Sequence, residues 1–120
     1  MTKEQAIQQF WASFELNAYD ENTVPQDATL PYITYSVSIG DIDNAVSAGA
    51  SIWYRSTSWA GITDKCHTIE QYIGYGGRLI YHDNGTIWIK RGVPFAQRMS
   101  DEDDSIRRIY LNIEMEFIND

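Results

Sequence analysis

Near its C-terminal end the chain carries Ile109, Leu111, Ile113, Met115 and Phe117 in strict alternation with Tyr110, Asn112, Glu114 and Glu116. A period of two puts every apolar side chain on one side of an extended backbone, so this segment reads as a long, half-buried strand. Slipping its pairing by one residue would turn all of those apolar groups into water, so the strand also fixes the register of its neighbours. An all-helical fold is excluded at once. A second alternation, Ile33, Tyr35, Val37 and Ile39 against Thr34, Ser36 and Ser38, predicts another strand. Gly40, Asp41, Asp43 and Asn44 mark a turn after it. Ala45–Ser56 then returns with Val46, Ala48, Ala50, Ile52 and Tyr54 on one face, an antiparallel hairpin whose small residues suggest close packing against a helix. Between Leu79–His82 and Thr86–Lys90 stands Asp83-Asn84-Gly85, whose Asn-Gly pair predicts a second hairpin.

Two stretches follow the other period. Thr2 and Gln5 have capping-box spacing, and Ile7, Phe10, Trp11 and Phe14 recur at helical intervals, which predicts a helix over about residues 3–17. Ser56, Thr57 and Ser58 are good N-cap types, and Trp59, Ile62, Cys66, Ile69 and Ile73 step along one face until Gly74, Gly76 and Gly77 stop the helix. Residues 19–31 hold two prolines and no period, and read as an ordered connection. Gly92–Asp104, with Pro94 and the run Asp101, Glu102, Asp103 and Asp104, reads as a long loop. The order is therefore α-β-β-α-β-β-β. It predicts one α+β domain over residues 1–120, two helices packed on one face of a mainly antiparallel sheet of about five strands.

Charge and composition narrow the function. Seventeen acidic against nine basic residues leave a formal charge of −8, which argues against tight binding to nucleic acid or to an anionic membrane. No run approaches the ~18 apolar residues of a bilayer span, and MTKEQAIQQF has no apolar stretch of a signal peptide, so a soluble chain without an export signal of its own is expected. Cys66 is the single cysteine, so neither an intrachain disulfide nor a Cys-rich metal site can form.

No motif points to catalysis, and neither a cofactor nor a metal is expected. Asp64 and His67 share a helix face, with Cys66 turned into the apolar stripe, but a metal or nucleophile there needs partners from elsewhere. His82 beside Asp83 sits at a hairpin turn without a recognisable Ser or Cys nucleophile. The acidic run lacks the alternating ligands and central glycine of a calcium loop, and Gly74, Gly76 and Gly77 follow a helix, whereas phosphate loops open one.

Three features ask for more than a core. Trp53 lies opposite Ile52 and Tyr54 on its strand, and Trp88 lies opposite Ile87 and Ile89, so both strands are apolar on two faces. The second face meets either a helix layer or another subunit. The third feature is the segment Val93–Met99, where Phe95, Arg98 and Met99 are residue types enriched at interface cores and Pro94 limits the entropy lost on docking.

These residues also carry a family resemblance. Tyr19-Asp20-Glu21-Asn22-Thr23-Val24-Pro25, Leu30-Pro31-Tyr32-Ile33-Thr34-Tyr35, Trp53-Tyr54-Arg55-Ser56-Thr57-Ser58-Trp59, Ile87-Trp88-Ile89-Lys90-Arg91-Gly92, Pro94-Phe95-Ala96-Gln97-Arg98-Met99 and Ile106-Arg107-Arg108-Ile109-Tyr110 occur in one order along nearly the whole chain. In combination they resemble a family of small tail proteins of long-tailed bacteriophages and prophages of Gram-positive bacteria, described as tail terminator, tail completion or minor tail proteins. The resemblance implies a non-enzymatic α+β subunit, made in the bacterial host cytoplasm, that assembles in the virion as a homo-hexameric ring on the end of the tail tube, ends its growth and offers the surface for head-tail joining; the alternatives are a head-closure or other minor tail or neck component, and a small α+β ligand-binding module. It implies the tail tube protein and the neck or head-completion proteins as partners, passing DNA as a transient one, and no membrane. It carries no catalytic residues. On this reading Trp53, Trp88, Phe95, Arg98 and Met99 are interface residues, and Asp101, Glu102, Asp103 and Asp104 are either a solvated loop or part of a negative channel mouth.

Overall fold

The computed structural model describes residues 1–37 and 45–118. The predicted turn at Gly40–Asn44, and the Ile39 end of the strand before it, lie outside the described residues. The elements run α1 (Lys3–Ala12), β1 (Asn17–Asp20), β2 (Tyr32–Tyr35), β3 (Ala45–Arg55), α2 (Ala60–Ile73), β4 (Arg78–His82), β5 (Gly85–Met99) and β6 (Ile106–Ile118). The strands form a single sheet in the order β1-β2-β3-β6-β5-β4, antiparallel throughout except for the parallel pair β1–β2. The α+β expectation therefore holds, with six strands in place of about five.

The alternation of β6 organises the sheet. β6 pairs with β3 over Ala45–Arg55 and with β5 on its other side, and Ile109, Leu111, Ile113, Met115 and Phe117 all face inward and are buried. Ile33, Tyr35, Ala48, Ala50, Ile52, Ile87 and Ile89 join them on that face. Both helices cover it. α2 lies over β3, β6 and β5 and buries Ile62, Cys66, Ile69 and Ile73. α1 touches β4 at one end of the sheet and β1 and β2 at the other, so the sheet curls around the helices and α1 bridges its two ends.

α1 has the predicted capping box: Gln5 N–H donates to Thr2 Oγ1 at 3.1 Å and Thr2 N–H to Gln5 Oε1 at 2.8 Å. It ends at Ala12, short of residue 17. Ser13 turns its N–H and hydroxyl onto the Phe10 carbonyl, and Glu15 adopts a left-handed φ of 65°, which a helix cannot continue. Phe14 is buried all the same, edge-on to Phe10 at 5.4 Å and to Tyr72 at 5.3 Å. α2 starts at Ala60 with Trp59 at the N-cap position. Ser58 still serves the turn, its hydroxyl accepting from Ala60 N–H at 3.1 Å.

Two sequence readings are corrected. β1 falls partly in the stretch read as connection, because four residues give no measurable period and its ladder comes from parallel pairing with β2. The larger correction concerns Gly92–Asp104. Its first part, as far as Met99, is strand, and only residues 100–105 connect β5 to β6. The register jumps from Arg91↔Ile113 to Ala96↔Leu111, so β5 bulges over Gly92–Phe95 and then resumes. The extra residues shift the phase of the alternation, and Pro94 sits in the bulge where no ladder donor is needed. Gly92 is required there, since a Cβ would stand 2.8 Å from Asn112 Cβ and 2.9 Å from its carbonyl oxygen.

Candidate assembly face

Parity along the strands puts a second set of side chains on the side of the sheet away from the helices. One cross-strand row of that outer face runs Asn17, Tyr32, Trp53, Arg108, Met99 from β1 to β5. Tyr19 meets Tyr32 edge-on at 5.6 Å, Tyr32 lies 6.4 Å from Trp53, and the Arg108 guanidinium sits 4.6 Å above the Trp53 ring. Trp53 Nε1 donates to Thr34 Oγ1 at 2.9 Å, and Arg108 Nε donates to Ser51 Oγ at 3.0 Å. The Trp53 indole N–H and the Arg108 Nε–H are thus satisfied within the chain, which leaves the tyrosine rings and the exposed Met99 as contact surface.

Trp88 belongs to a different group. Its Nε1 donates to the Gly76 carbonyl at 2.8 Å, and Lys90 Nζ lies 4.4 Å over its ring. With Phe95, Tyr75 and Arg91 it lines a cleft of about 450 Å³ between the turn after α2 and the β5 bulge. Phe95 is half-buried and packs against the core, while its neighbours Val93 and Pro94 are exposed. Arg91 reaches Glu70 at 3.6 Å and stacks on Tyr75 at 4.7 Å, and Lys90 reaches Glu116 at 3.9 Å, so the cleft holds balanced charges.

Arg98 stands apart from both, its guanidinium 4.7 Å from the Trp59 ring centroid, with Arg107 at 5.3 Å from the same ring. The structure therefore joins Trp53 to Met99 through Arg108, joins Trp88 to Phe95 across the cleft, and places Arg98 beside Trp59. Sequence reasoning missed Tyr19, Tyr32, Tyr75, Trp59 and Arg108. The parity of β2 and β6 marks Tyr32 and Arg108 as outward-facing; nothing in the sequence marks Tyr75 or the pairing of Trp59 with two arginines.

Asp101, Glu102, Asp103 and Asp104 are all exposed. Asp101 Oδ1 accepts from Asp103 N–H at 2.9 Å, and Asp103 Oδ1 accepts from Ser105 N–H at 2.8 Å and from its hydroxyl at 2.7 Å. Those Ser105 hydrogen bonds, with a smaller contribution from Arg55, hold the Asp103 carboxyl below its ordinary range.

The residues weighed for chemistry are dispersed. His67 Nδ1 lies 3.6 Å from Glu70, while Asp64 uses its carbonyl to accept from Thr68. His82 Nδ1 accepts from Asn84 N–H at 3.3 Å, and Asp83 is paired with the amino group of Met1, so the two neighbours form no acid–base couple. Among the described residues no group of three or more His, Cys, Asp or Glu is placed to hold a metal, and no helix is long and apolar enough to cross a membrane.

Cys66 is a core residue. Burial, and then the nearby Glu70 charge, push its thiol from 9.0 up to about 11. Above the unfolded value only the unfolded chain ionises, so this contribution is complete below pH 9 and is lost by about 1.4 kcal/mol per pH unit as pH rises towards 11. The stability difference between wild type and Cys66→Ala should narrow by that slope in urea titrations at about pH 8.5 and 10.5. A constant difference would show that the thiol is not protected.

The fold and its outer face define a class: a two-layer α+β protein with an aromatic, cation-studded sheet surface and no assembled reaction centre among the described residues. No family model and no curated protein matches the chain. Among solved structures, a chain from the virion of a native gene transfer agent particle shares the fold, with a TM-score of 0.66 and 15% sequence identity over 96% of this chain and 93% of that chain.

Proposed function

We propose that this chain is a non-enzymatic structural subunit of a phage-like particle. In this reading it forms a six-membered ring on the end of the tail tube, stops tube growth and offers the surface to which the neck of a filled head joins. The observation that carries the reading is the fold-wide likeness to a virion chain, in which nearly the whole of each chain is matched. The aromatic stripe through Trp53 and the Trp88–Phe95 cleft are the surfaces that face the ring neighbours, the tube protein and the neck. The exposed run Asp101–Asp104 fits a channel mouth, because a genome slides past carboxylates without the counterion release that would hold it on a basic wall.

Electron microscopy of the purified protein mixed with purified tail tubes tests this. A ring at one end of each tube, and halted elongation, are the expected results. Failure to bind tube ends at any protein concentration would overturn the terminator reading, and binding to tail-less heads instead would make the chain a head-closure component.

A further inference from the structure

We infer that Asn84 is a spontaneous modification site, at which the exposed β4–β5 turn converts asparagine to aspartate and isoaspartate and so adds a carboxylate to one end of the sheet as the chain ages. The inference stands on the hairpin alone and does not depend on the assembly reading above.

Six asparagines occur in the chain, and four of them, Asn17, Asn22, Asn84 and Asn112, lie among the described residues. The reaction needs the backbone nitrogen of the following residue to reach the side-chain carbonyl carbon, so the next residue decides between them. Asn17 precedes Ala18, which is buried in β1. Asn22 precedes Thr23 and Asn112 precedes Ile113, whose branched Cβ atoms crowd that nitrogen. Asn112 is also tied down, its Nδ2 donating to the Pro94 carbonyl at 2.7 Å. Of the four, Asn84 alone precedes a glycine, Gly85, which has no Cβ to screen its nitrogen.

The turn supplies the rest. Asp83 and Asn84 are the loop residues between the paired His82 and Gly85. Asn84 is exposed, and its side-chain amide makes no hydrogen bond; only its backbone N–H is engaged, donating to His82 Nδ1 at 3.3 Å. Gly85 belongs to the last rung of an edge hairpin, since β4 is the outer strand of the sheet, and such a rung opens at little cost. Once it opens, Gly85 N bonds to Asn84 Cγ, the Cγ–Nδ2 bond breaks, and the amide proton departs with Nδ2 as ammonia. Water then opens the cyclic imide. Addition at Cγ gives aspartate; addition at the backbone carbonyl gives isoaspartate, whose main chain runs through the former side chain. Water is the sole co-reactant, and nothing is oxidised or reduced.

The two products differ in their effect. Both add a negative charge beside Asp83, which is paired with the Met1 amino group. Isoaspartate also adds one atom to the main chain of a two-residue loop, and loop length sets hairpin register. Ile87 is fully buried and β5 is held on its far side by β6, so β4 is the strand that gives way. β4 is also where α1 meets this end of the sheet.

Mass spectrometry of the full chain held at about pH 8.5 and about 37 °C for about four weeks tests the site. The expected result is a gain of about 1 Da that fragmentation assigns to residue 84, with two products separable by chromatography. Its rate should lie within about tenfold of that of the chain unfolded in guanidinium, where no structure shields the turn. Asn84→Gln, which keeps an amide at the turn but closes a larger and slower-forming ring, should show no gain at residue 84 over the same period. Conversion slower than that margin, or equal conversion at Asn17, Asn22 or Asn112, would overturn the assignment. Asn84→Asp separates charge from backbone: it should melt as wild type does, while the purified isoaspartyl form should melt a few degrees lower and exchange its β4 amides faster. Isoaspartyl protein that melts with Asn84→Asp would overturn the claim that the loop has no slack.

Discussion

Trp11→Ala should cost about 3–5 kcal/mol, the range for deleting a large aromatic side chain from a packed core. Trp11 is 1% exposed and lies against Phe10 at 4.9 Å and Phe14 at 6.3 Å. The cavity forms under α1, the element that touches both ends of the sheet, so local collapse cannot fill it without moving β1 relative to β4. Domains of this size have a total stability of roughly 5–15 kcal/mol, so the variant should unfold at markedly lower urea concentration and be partly unfolded on warming. Trp88→Ala provides the comparison. Its ring faces outward and makes one hydrogen bond, to the Gly76 carbonyl, so the loss should be about 1 kcal/mol. Equal midpoints for the two variants would contradict the assignment of Trp11 to the core and Trp88 to the surface.

The elements that the sequence discloses are those whose pattern is local and long enough to count. The five alternating apolar residues of β6, the capping box of α1 and the Asn-Gly hairpin each carry their own signal, and each is where expected. β1 and the outer half of β5 are hidden for physical reasons. β1 has four residues and is extended because β2 lies beside it, a partner fifteen positions on. β5 carries a bulge that inserts residues between two correctly phased halves, and a fixed-period template breaks there. The early stop of α1 has no glycine or proline to announce it; Ser13 and the left-handed Glu15 end the helix, and Phe14 between them packs edge-on to the Tyr72 ring.

The candidate surface is legible only as far as strand parity goes. Trp53 and Trp88 stand out because each opposes apolar neighbours on its own strand, Ile52 and Tyr54 for the one and Ile87 and Ile89 for the other, and the structure does put both on the outer face. Whether a ring at such a position is covered depends on which cation crosses to it from another strand. Arg108 reaches Trp53 from β6, and two arginines from β5 and β6 reach Trp59, all encounters between residues at least thirty-nine positions apart. Phe95 shows the converse: Val93 and Pro94 before it are exposed, yet Phe95 packs its ring against the core.

Gly77→Ala should destabilise by about 3 kcal/mol, from left-handed strain and from a clash with backbone. Gly77 has a φ of +81°, and a Cβ there would stand 2.5 Å from the Ile89 carbonyl oxygen, 2.6 Å from Trp88 Nε1 and 3.1 Å from Lys90 Cγ. The lysine stem can swing away, but the Ile89 carbonyl is part of β5, and Ile89 is fully buried beneath α2, so relief requires the turn after α2 to lift off the sheet. That displacement also separates Trp88 from Gly76 and opens the cleft shared with Phe95 and Tyr75. Gly76→Ala isolates the cause, because its Cβ meets nothing within 4 Å and its φ is not positive, so its stability should stay within about 0.5 kcal/mol of wild type. Urea unfolding gives the two stabilities, and the difference in tryptophan fluorescence between each protein and its Trp88→Phe counterpart reports the exposure of Trp88. If Gly77→Ala matched Gly76→Ala in both readouts, the turn would not be pinned against β5, and the cleft it frames would not be a preformed surface.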